Sequence, residues 1–255
     1  ADTLNRADQH FSRRRAALRN GLGAVALLGA GGLAAWRNLP MERMLADYRT
    51  GAGERRELRL ADGTLLWLDS ASAVDVTVDA GQRRIFVHAG EILVDTENVR
   101  PGLPPLRVLT AHGAVRPLGT RFIVTRQDDL TRVAVLRHAV ALEPATGGAP
   151  VILKAGEQGT LAPAGAQAAG AITGEPDAWT RGLLVVDNWR LDDFIARLDR
   201  YRPGLLRCDD AVAALRLSGA FTVDDTDQAL AAVTRALPVN IARFTRYYVR
   251  IVARR

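Results

Sequence analysis

Three pairs of adjacent carboxylates stand in the last third of the chain, at Asp192-Asp193, Asp209-Asp210 and Asp224-Asp225. Paired acids are what general acid–base chemistry needs. Two of these pairs, however, open segments of helical periodicity, where a carboxylate satisfies free backbone N–H groups and the positive end of the helix dipole. Capping is the simpler role for them. Four histidines (His10, His88, His112 and His138) are scattered, and no two stand at metal-ligand spacing on a helix. No serine lies in a Gly-x-Ser-x-Gly elbow, and Lys154, the only lysine, follows no phosphate-binding glycine loop. Cys208 is alone, which excludes an intrachain disulfide and a cysteine zinc cage. The chain is therefore not read as an enzyme with turnover, and no cofactor or metal is expected.

The elements that would position such residues fall into two kinds. Between residues 50 and 162, apolar residues alternate with polar ones, as at Leu58 and Leu60, Val74, Val76 and Val78, Ile85 and Val87, Ile92 and Val94, and Val133 and Val135. This is the period of two of half-buried strands. Asp62-Gly63, Ala80-Gly81, Ala89-Gly90, Gly119, Gly147-Gly148 and Ala155-Gly156 punctuate them as turns. The pattern predicts an all-β domain over 50–162 without choosing among sandwich, barrel and solenoid. Residues 163–178 begin with a run of Ala, Gly and Pro that offers few side chains to order, and are expected to be a linker. Residues 179–255 read differently. Leu183 to Val186 predicts a strand, and Leu191, Phe194, Ile195 and Leu198 make one face of a helix. A strand at Ala220 to Val223 and a second helix carrying Leu230, Val233 and Leu237 follow, with Asp225 and Gln228 placed for a capping box. Tyr247 to Val252 predicts a last strand, giving a small α+β module.

With 255 residues, 24% of them charged and 48% hydrophobic, the chain has room for one large or two small folded domains. Aromatics at 5% argue against a stacking platform for single-stranded nucleic acid. The net charge of +6 gathers at the ends, in Arg13, Arg14, Arg15 and Arg19, and in Arg243, Arg246, Arg250, Arg254 and Arg255. Nucleic acid is not an expected partner. Gly21 to Trp36 contains neither charge nor proline, and residues 17–36 reach the length of a bilayer core. The arginines before this segment place the N-terminus in the cytoplasm and residues from 37 onward outside it, by the positive-inside rule. A cleavable signal ending near Gly32-Leu33-Ala34, a twin-arginine signal at Ser12-Arg13-Arg14, and a buried Gly/Ala helix are the alternatives.

The ordered motifs carry more than any one of them. They are Gly53-Glu54-Arg55-Arg56-Glu57-Leu58, Leu60 to Leu68, Ser70-Ala-Ser72, Ala89-Gly90-Glu91, Arg116-Pro-Leu-Gly-Thr-Arg-Phe122 and Leu153-Lys-Ala-Gly156-Glu157. Then come Trp179-Thr-Arg-Gly182, Asn188 to Leu191, Leu198-Asp-Arg-Tyr201, Leu217-Ser-Gly-Ala-Phe221 and Leu237-Pro238. Over about residues 50 to 253 this order resembles the FecR family of membrane-bound sigma-factor regulators.

The resemblance implies a mainly β periplasmic FecR domain, one transmembrane helix before it, and an α+β C-terminal module similar to the short signalling domain of secretins and TonB-dependent receptors. It implies a single-pass inner-membrane anti-sigma factor, with residues 1–16 as the remnant of a cytoplasmic segment that binds an extracytoplasmic-function sigma factor. An outer-membrane TonB-dependent receptor would signal through its own signalling domain. Site-2-type membrane proteases would then free the sigma factor to direct ferric-siderophore uptake genes. Leu198, Tyr201, Leu217, Phe221 and Leu237 fall at motif positions of the C-terminal module and are the expected partner-binding residues. Some members of the family cut themselves at a Gly-Thr bond, and Gly119-Thr120 resembles that site. The alternative function is an exported periplasmic binding or assembly module without sigma-factor signalling.

Overall fold

The alternating strands place one side chain in two inward, so they must pair until both edges and faces are satisfied. In the computed structural model, which describes residues 44–97 and 102–254, they do this in two sheets sharing a single strand. The expected cytoplasmic remnant 1–16 and membrane helix 17–36 lie outside the described residues. Among the described residues no helix is long and apolar enough to cross a membrane.

The shared strand is β5 (Arg83–Asp95). Its first half pairs with β4 (Ala73–Val78) and β6 (Leu106–Thr110), and the first sheet continues outward through β1 (Tyr48–Arg49), β7 (Gly113–Pro117), β10 (Ala139–Pro144) and β11 (Val151–Lys154). Its second half pairs with β3 (Leu65–Leu68) and β8 (Arg121–Arg126). From there the second sheet continues through β2 (Arg56–Arg59), β9 (Thr131–Arg137), β12 (Glu157–Ala162) and β13 (Gly165–Ala171). Val87, Ile92, Val94, Phe122, Val124, Val133 and Val135 fill the core between the sheets.

Two expectations are corrected here. Ala89-Gly90 is not a turn between two strands but the bend inside one. A bulge at His88 shifts the register from Ala73↔Ala89 to Val74↔Val87, and Gly90 follows with φ +85°. A Cβ at Gly90 would stand 2.3 Å from Ser72 Oγ, so the close approach of the two backbones requires glycine. The expected linker 163–178 also holds strand β13, hydrogen-bonded to β12. Its Gly/Ala composition leaves it exposed, and the backbone ladder alone defines it.

The second sheet is apolar on both faces. Leu93 and Ile123 point away from the inter-sheet core, into a second core formed with residues 178–251. That explains the unbroken runs Ile92-Leu93-Val94 and Phe122-Ile123-Val124, because a strand covered on both sides does not alternate. The covering module starts with a 3-10 turn, Ala178–Arg181, that buries Trp179. In it, β14 (Leu183–Arg190) pairs with β16 (Arg216–Thr222), and β18 (Tyr248–Ala253) lies between β15 (Leu205–Cys208) and β17 (Val239–Arg243). Helix α1 (Leu191–Asp199) buries Leu191, Phe194, Ile195 and Leu198, with Phe194 tilted against Phe221 at 4.7 Å between ring centroids. A short helix α2 (Asp210–Ala213) and α3 (Thr226–Ala236) complete it. Asp209 and Asp225 cap α2 and α3, accepting from Ala211 N at 3.1 Å and Gln228 N at 2.9 Å. Asp192 instead holds the Arg190 guanidinium by two bonds of 3.0 and 2.7 Å.

Replacing Gly90 by alanine adds a clash with the Ser72 backbone to the cost of a positive φ, together about 2–4 kcal/mol. Urea unfolding of Gly90→Ala is the measurement. A value within about 0.5 kcal/mol of the parent, the size of an ordinary surface change, would contradict the bend.

Candidate functional site: the joint between the β-domain and the C-terminal module

A cluster of buried polar groups lies where α1 crosses the second sheet. Two segments of the β-domain build it. Glu91 sits opposite Thr125 in the β5–β8 pairing and accepts its hydroxyl at 3.0 Å. Just after β3, Asp69 N donates to Glu91 O at 2.9 Å, which sets the two carboxylates side by side. Ser72 locks this arrangement, because its hydroxyl both donates to Glu91 O and accepts from Glu91 N at 3.0 Å.

The module answers with residues one helical turn apart, Arg197 and Tyr201, whose spacing puts both on the same face. Arg197 grips Glu91 with both terminal nitrogens, at 2.7 and 2.8 Å, and reaches Asp69 Oδ2 at 3.3 Å. Tyr201 donates its hydroxyl to the same Asp69 oxygen at 2.8 Å. Asp69 Oδ1 has no protein partner. Around this centre, Ser70 accepts from Gly53 N at 2.8 Å and donates to the Arg200 carbonyl. Arg200 donates to Ser70 O at 3.3 Å, and Arg55 donates to Trp179 O at 3.0 Å and pairs with Asp224. Arg121 bridges Asp95 at 3.3 Å and Asp177 at 3.2 Å while lying over the Trp67 ring.

Three charged groups taken out of water must compensate one another, and their proton affinities show how. Burial and the neighbouring Glu91 charge raise Asp69. Burial alone would raise Glu91 too, but the Arg197 guanidinium outweighs it and holds Glu91 below its ordinary 4.5. Burial opposes the charge on Arg197, yet Glu91 raises its proton affinity; burial likewise raises Tyr201. At neutral pH, Arg197 is thus the cation that Glu91 requires. Elsewhere, burial pushes the Cys208 thiol up to about 11, leaving little thiolate. His88 is joined to Asp75 at 2.7 Å, and His112 to Thr131 at 3.0 Å.

The residues expected to bind a partner take other positions. Leu198, Tyr201, Leu217 and Phe221 are buried, and Leu237 is half-buried against the same core. Buried side chains meet no partner unless the module opens, so this set holds the module together, and Tyr201 additionally joins it to Asp69. At the expected cleavage site, Gly119 is exposed with φ +73° and Thr120 is buried. The Thr120 hydroxyl donates to the Arg137 carbonyl, and its amide donates to Thr96 Oγ1 at 2.9 Å. The joint itself was not foreseen. Its members border quoted motifs: Glu91 ends Ala89-Gly90-Glu91, Asp69 precedes Ser70, and Arg197 precedes Leu198. A signal was present in Glu91, an acid opening the apolar run Ile92-Leu93-Val94.

Arg197→Met leaves Glu91 buried without a cation and is expected to lower unfolding free energy by about 3–5 kcal/mol. Arg197→Lys should recover little, since an ammonium cannot make the two-pronged contact. Urea unfolding checks both, and a methionine variant as stable as the parent would remove the pair from any structural role. The pH dependence follows from the signs. Glu91 is lowered in the folded chain, so its contribution is complete above pH 4.5 and is lost as pH falls through the folded value. Asp69 is raised and works in the opposite direction. Glu91→Gln should therefore flatten the loss of stability below pH 4.5, and an unchanged acid limb would contradict the assignment.

Residues 46–141 match the family described as FecR protein. This stretch runs from before β1 into β10, so it contains Asp69 and Glu91 but ends before Arg197. Two crystal structures of a candidate anti-sigma factor from Parabacteroides distasonis, at 1.65 and 2.50 Å resolution, have the same fold. They superpose with TM-scores of 0.65 and 0.64 at 19% identity, covering 81% of this chain and 98% and 97% of theirs. The likeness therefore extends past the FecR match into the C-terminal module. A comparison with curated proteins returns no match. Residues 46–141, which include the Asp69 and Glu91 side of the joint, thus match the FecR family.

Proposed function

We propose that this protein is a FecR-type anti-sigma factor: a single-pass inner-membrane regulator whose residues from 37 onward lie in the periplasm. The observation that carries this reading is the joint one: a FecR match at 46–141, with fold likeness to a candidate anti-sigma factor over 81% of the chain. The arginines before the apolar segment 17–36 support the orientation. In this reading a TonB-dependent outer-membrane receptor contacts the periplasmic part through its signalling domain. Site-2-type proteolysis then releases an extracytoplasmic-function sigma factor that directs ferric-siderophore uptake genes. The buried joint suits a relay, because a partner that favours one arrangement of β-domain and module over another shifts the balance between them.

Self-cleavage at Gly119–Thr120 belongs to the same proposal. Thr120 Oγ1 attacks the Gly119 carbonyl carbon; the C–O ester bond forms as the C–N bond breaks, and the hydroxyl proton passes to the freed Thr120 amine. Water then hydrolyses the ester. Glycine with φ +73° leaves the carbonyl unobstructed by a side chain, and the attack requires Thr120 to give up its bond to Arg137 O.

Purification of the tagged chain from solubilised membranes, followed by mass spectrometry, is expected to recover an extracytoplasmic-function sigma factor and a TonB-dependent receptor. Recovery of secretin components alone would favour the exported assembly module instead. For the cleavage, Thr120→Ala should yield only intact chain, and fragments persisting in that variant would end the idea.

A further inference from the structure

A cleft of about 680 Å³ opens beside the joint, between the outer face of β8 and β9 and the module's β14, β16 and α1. That volume is within the range of ligand sites, about 300–1,000 Å³. Its floor is apolar, with Ile123, Ala134 and Leu184. Its wall is Trp189, placed there by a deliberate distortion of β14. The strand pairs regularly with β16 up to Val186↔Gly219, bulges, and resumes at Trp189↔Leu217. Within the bulge Asn188 adopts φ +53°, a left-handed conformation that a side-chain-bearing residue adopts at a cost. Bulges re-aim side chains next to functional sites, and this one leaves Trp189 only half-buried at the cleft.

The rim is cationic. The Arg132 side chain on β9 makes no hydrogen bond or ion pair among the described residues. Among the described residues the Arg216 guanidinium bonds the Asn188 carbonyl at 2.7 Å, and Arg200 bonds a carbonyl rather than a carboxylate. Of the three acids that line the cleft, Glu91 is held by Arg197 and Glu175 by Arg181, and Asp193 stands against the five lining arginines Arg132, Arg190, Arg197, Arg200 and Arg216. Arg132 and Arg216, which pair with no carboxylate among the described residues, sit on two separate strands instead of converging on one point. A small anion asks for a few convergent donors. Cations spread along a rim above an apolar floor fit an extended chain bearing several carboxylates and one apolar side chain.

We infer that this cleft is the docking site for an acidic, extended peptide segment of a partner protein. Electrostatic complementarity gives such a segment its encounter rate and register, and the Trp189 wall gives its apolar side chain a place to bury. The inference stands on this chain's own cleft, and a peptide titration reads it whether or not a sigma factor binds elsewhere.

The test titrates the full chain against a fluorescein-labelled peptide with a central Leu flanked on each side by Glu-Gly-Glu, following anisotropy and tryptophan emission at low salt. A peptide with Lys in place of Glu is the counter-probe. Arg132 is exposed and unpartnered, so Arg132→Glu should fold as the parent does, which an unfolding curve checks. The acidic peptide is expected to bind and the basic one not. Arg132→Glu should weaken binding about tenfold, a change of about 1.4 kcal/mol, with Arg132→Glu/Arg216→Glu weaker still. Arg246→Glu, on the exposed hairpin between β17 and β18, should leave binding unchanged. Failure of the acidic peptide to bind, equal binding of both peptides, or a loss caused by Arg246→Glu and not by Arg132→Glu would each overturn the assignment.

Discussion

Arg197 and Glu91 come from segments more than a hundred residues apart, and their two-pronged contact decides how the two halves of this unit can meet. The surfaces around it are largely apolar: Leu93 and Ile123 of the second sheet face the core that Trp179 and α1 complete. Apolar contact is non-directional, so by itself it tolerates sliding. A buried carboxylate does not. Displacing α1 along the sheet would strand Glu91, and Asp69 beside it, in a medium where an uncompensated charge costs several kcal/mol. The joint therefore has a single register, and departures from it cost far more than apolar sliding would.

That requirement reaches back into the β-domain. Glu91 can face the module only because β5 leaves the first sheet and enters the second immediately before it. Gly90 permits the turn of direction, and Ser72 pins the crossing by bonding both backbone groups of Glu91. The same loop delivers Asp69 for Tyr201 and Ser70 for the Arg200 carbonyl. One corner of the β-domain thus serves two purposes, closing its own core and presenting the carboxylates that seat the module.

Much of this architecture can be read in the chain, and the exceptions have physical causes. The strands with alternating burial announce themselves, and α1 does so through Leu191, Phe194, Ile195 and Leu198. Strand β13 does not, because Gly-Ala-Gln-Ala-Ala-Gly-Ala half-buries only its first two residues and is ordered by main-chain bonds that leave no mark on side-chain pattern. Ala89-Gly90 carries a turn signal, but the glycine there serves a contact with Ser72 that no local pattern records. Leu198, Leu217 and Phe221 read as recognition residues from their motif positions, yet motif positions in a small module are mostly its core. Arg197 and Glu91 are the clearest case. Each looks like an ordinary solvated charge, and only the tertiary crossing of α1 over β5 makes them partners.

The placement of the cleft gives this joint a further consequence. Arg197 and Glu91 belong to its lining as well as to the latch, so a carboxylate entering near α1 competes with Glu91 for the same guanidinium. The competition is reciprocal, since whatever loosens the latch must change affinity in the cleft by the same factor. Couplings of that kind are worth about 1–3 kcal/mol, a sizeable fraction of what a buried pair holds, about 3–5 kcal/mol. An occupant therefore need not break the joint outright. It has only to offer the arginine an alternative partner, and the single-register seam converts that local exchange into a changed balance between the β-domain and the module.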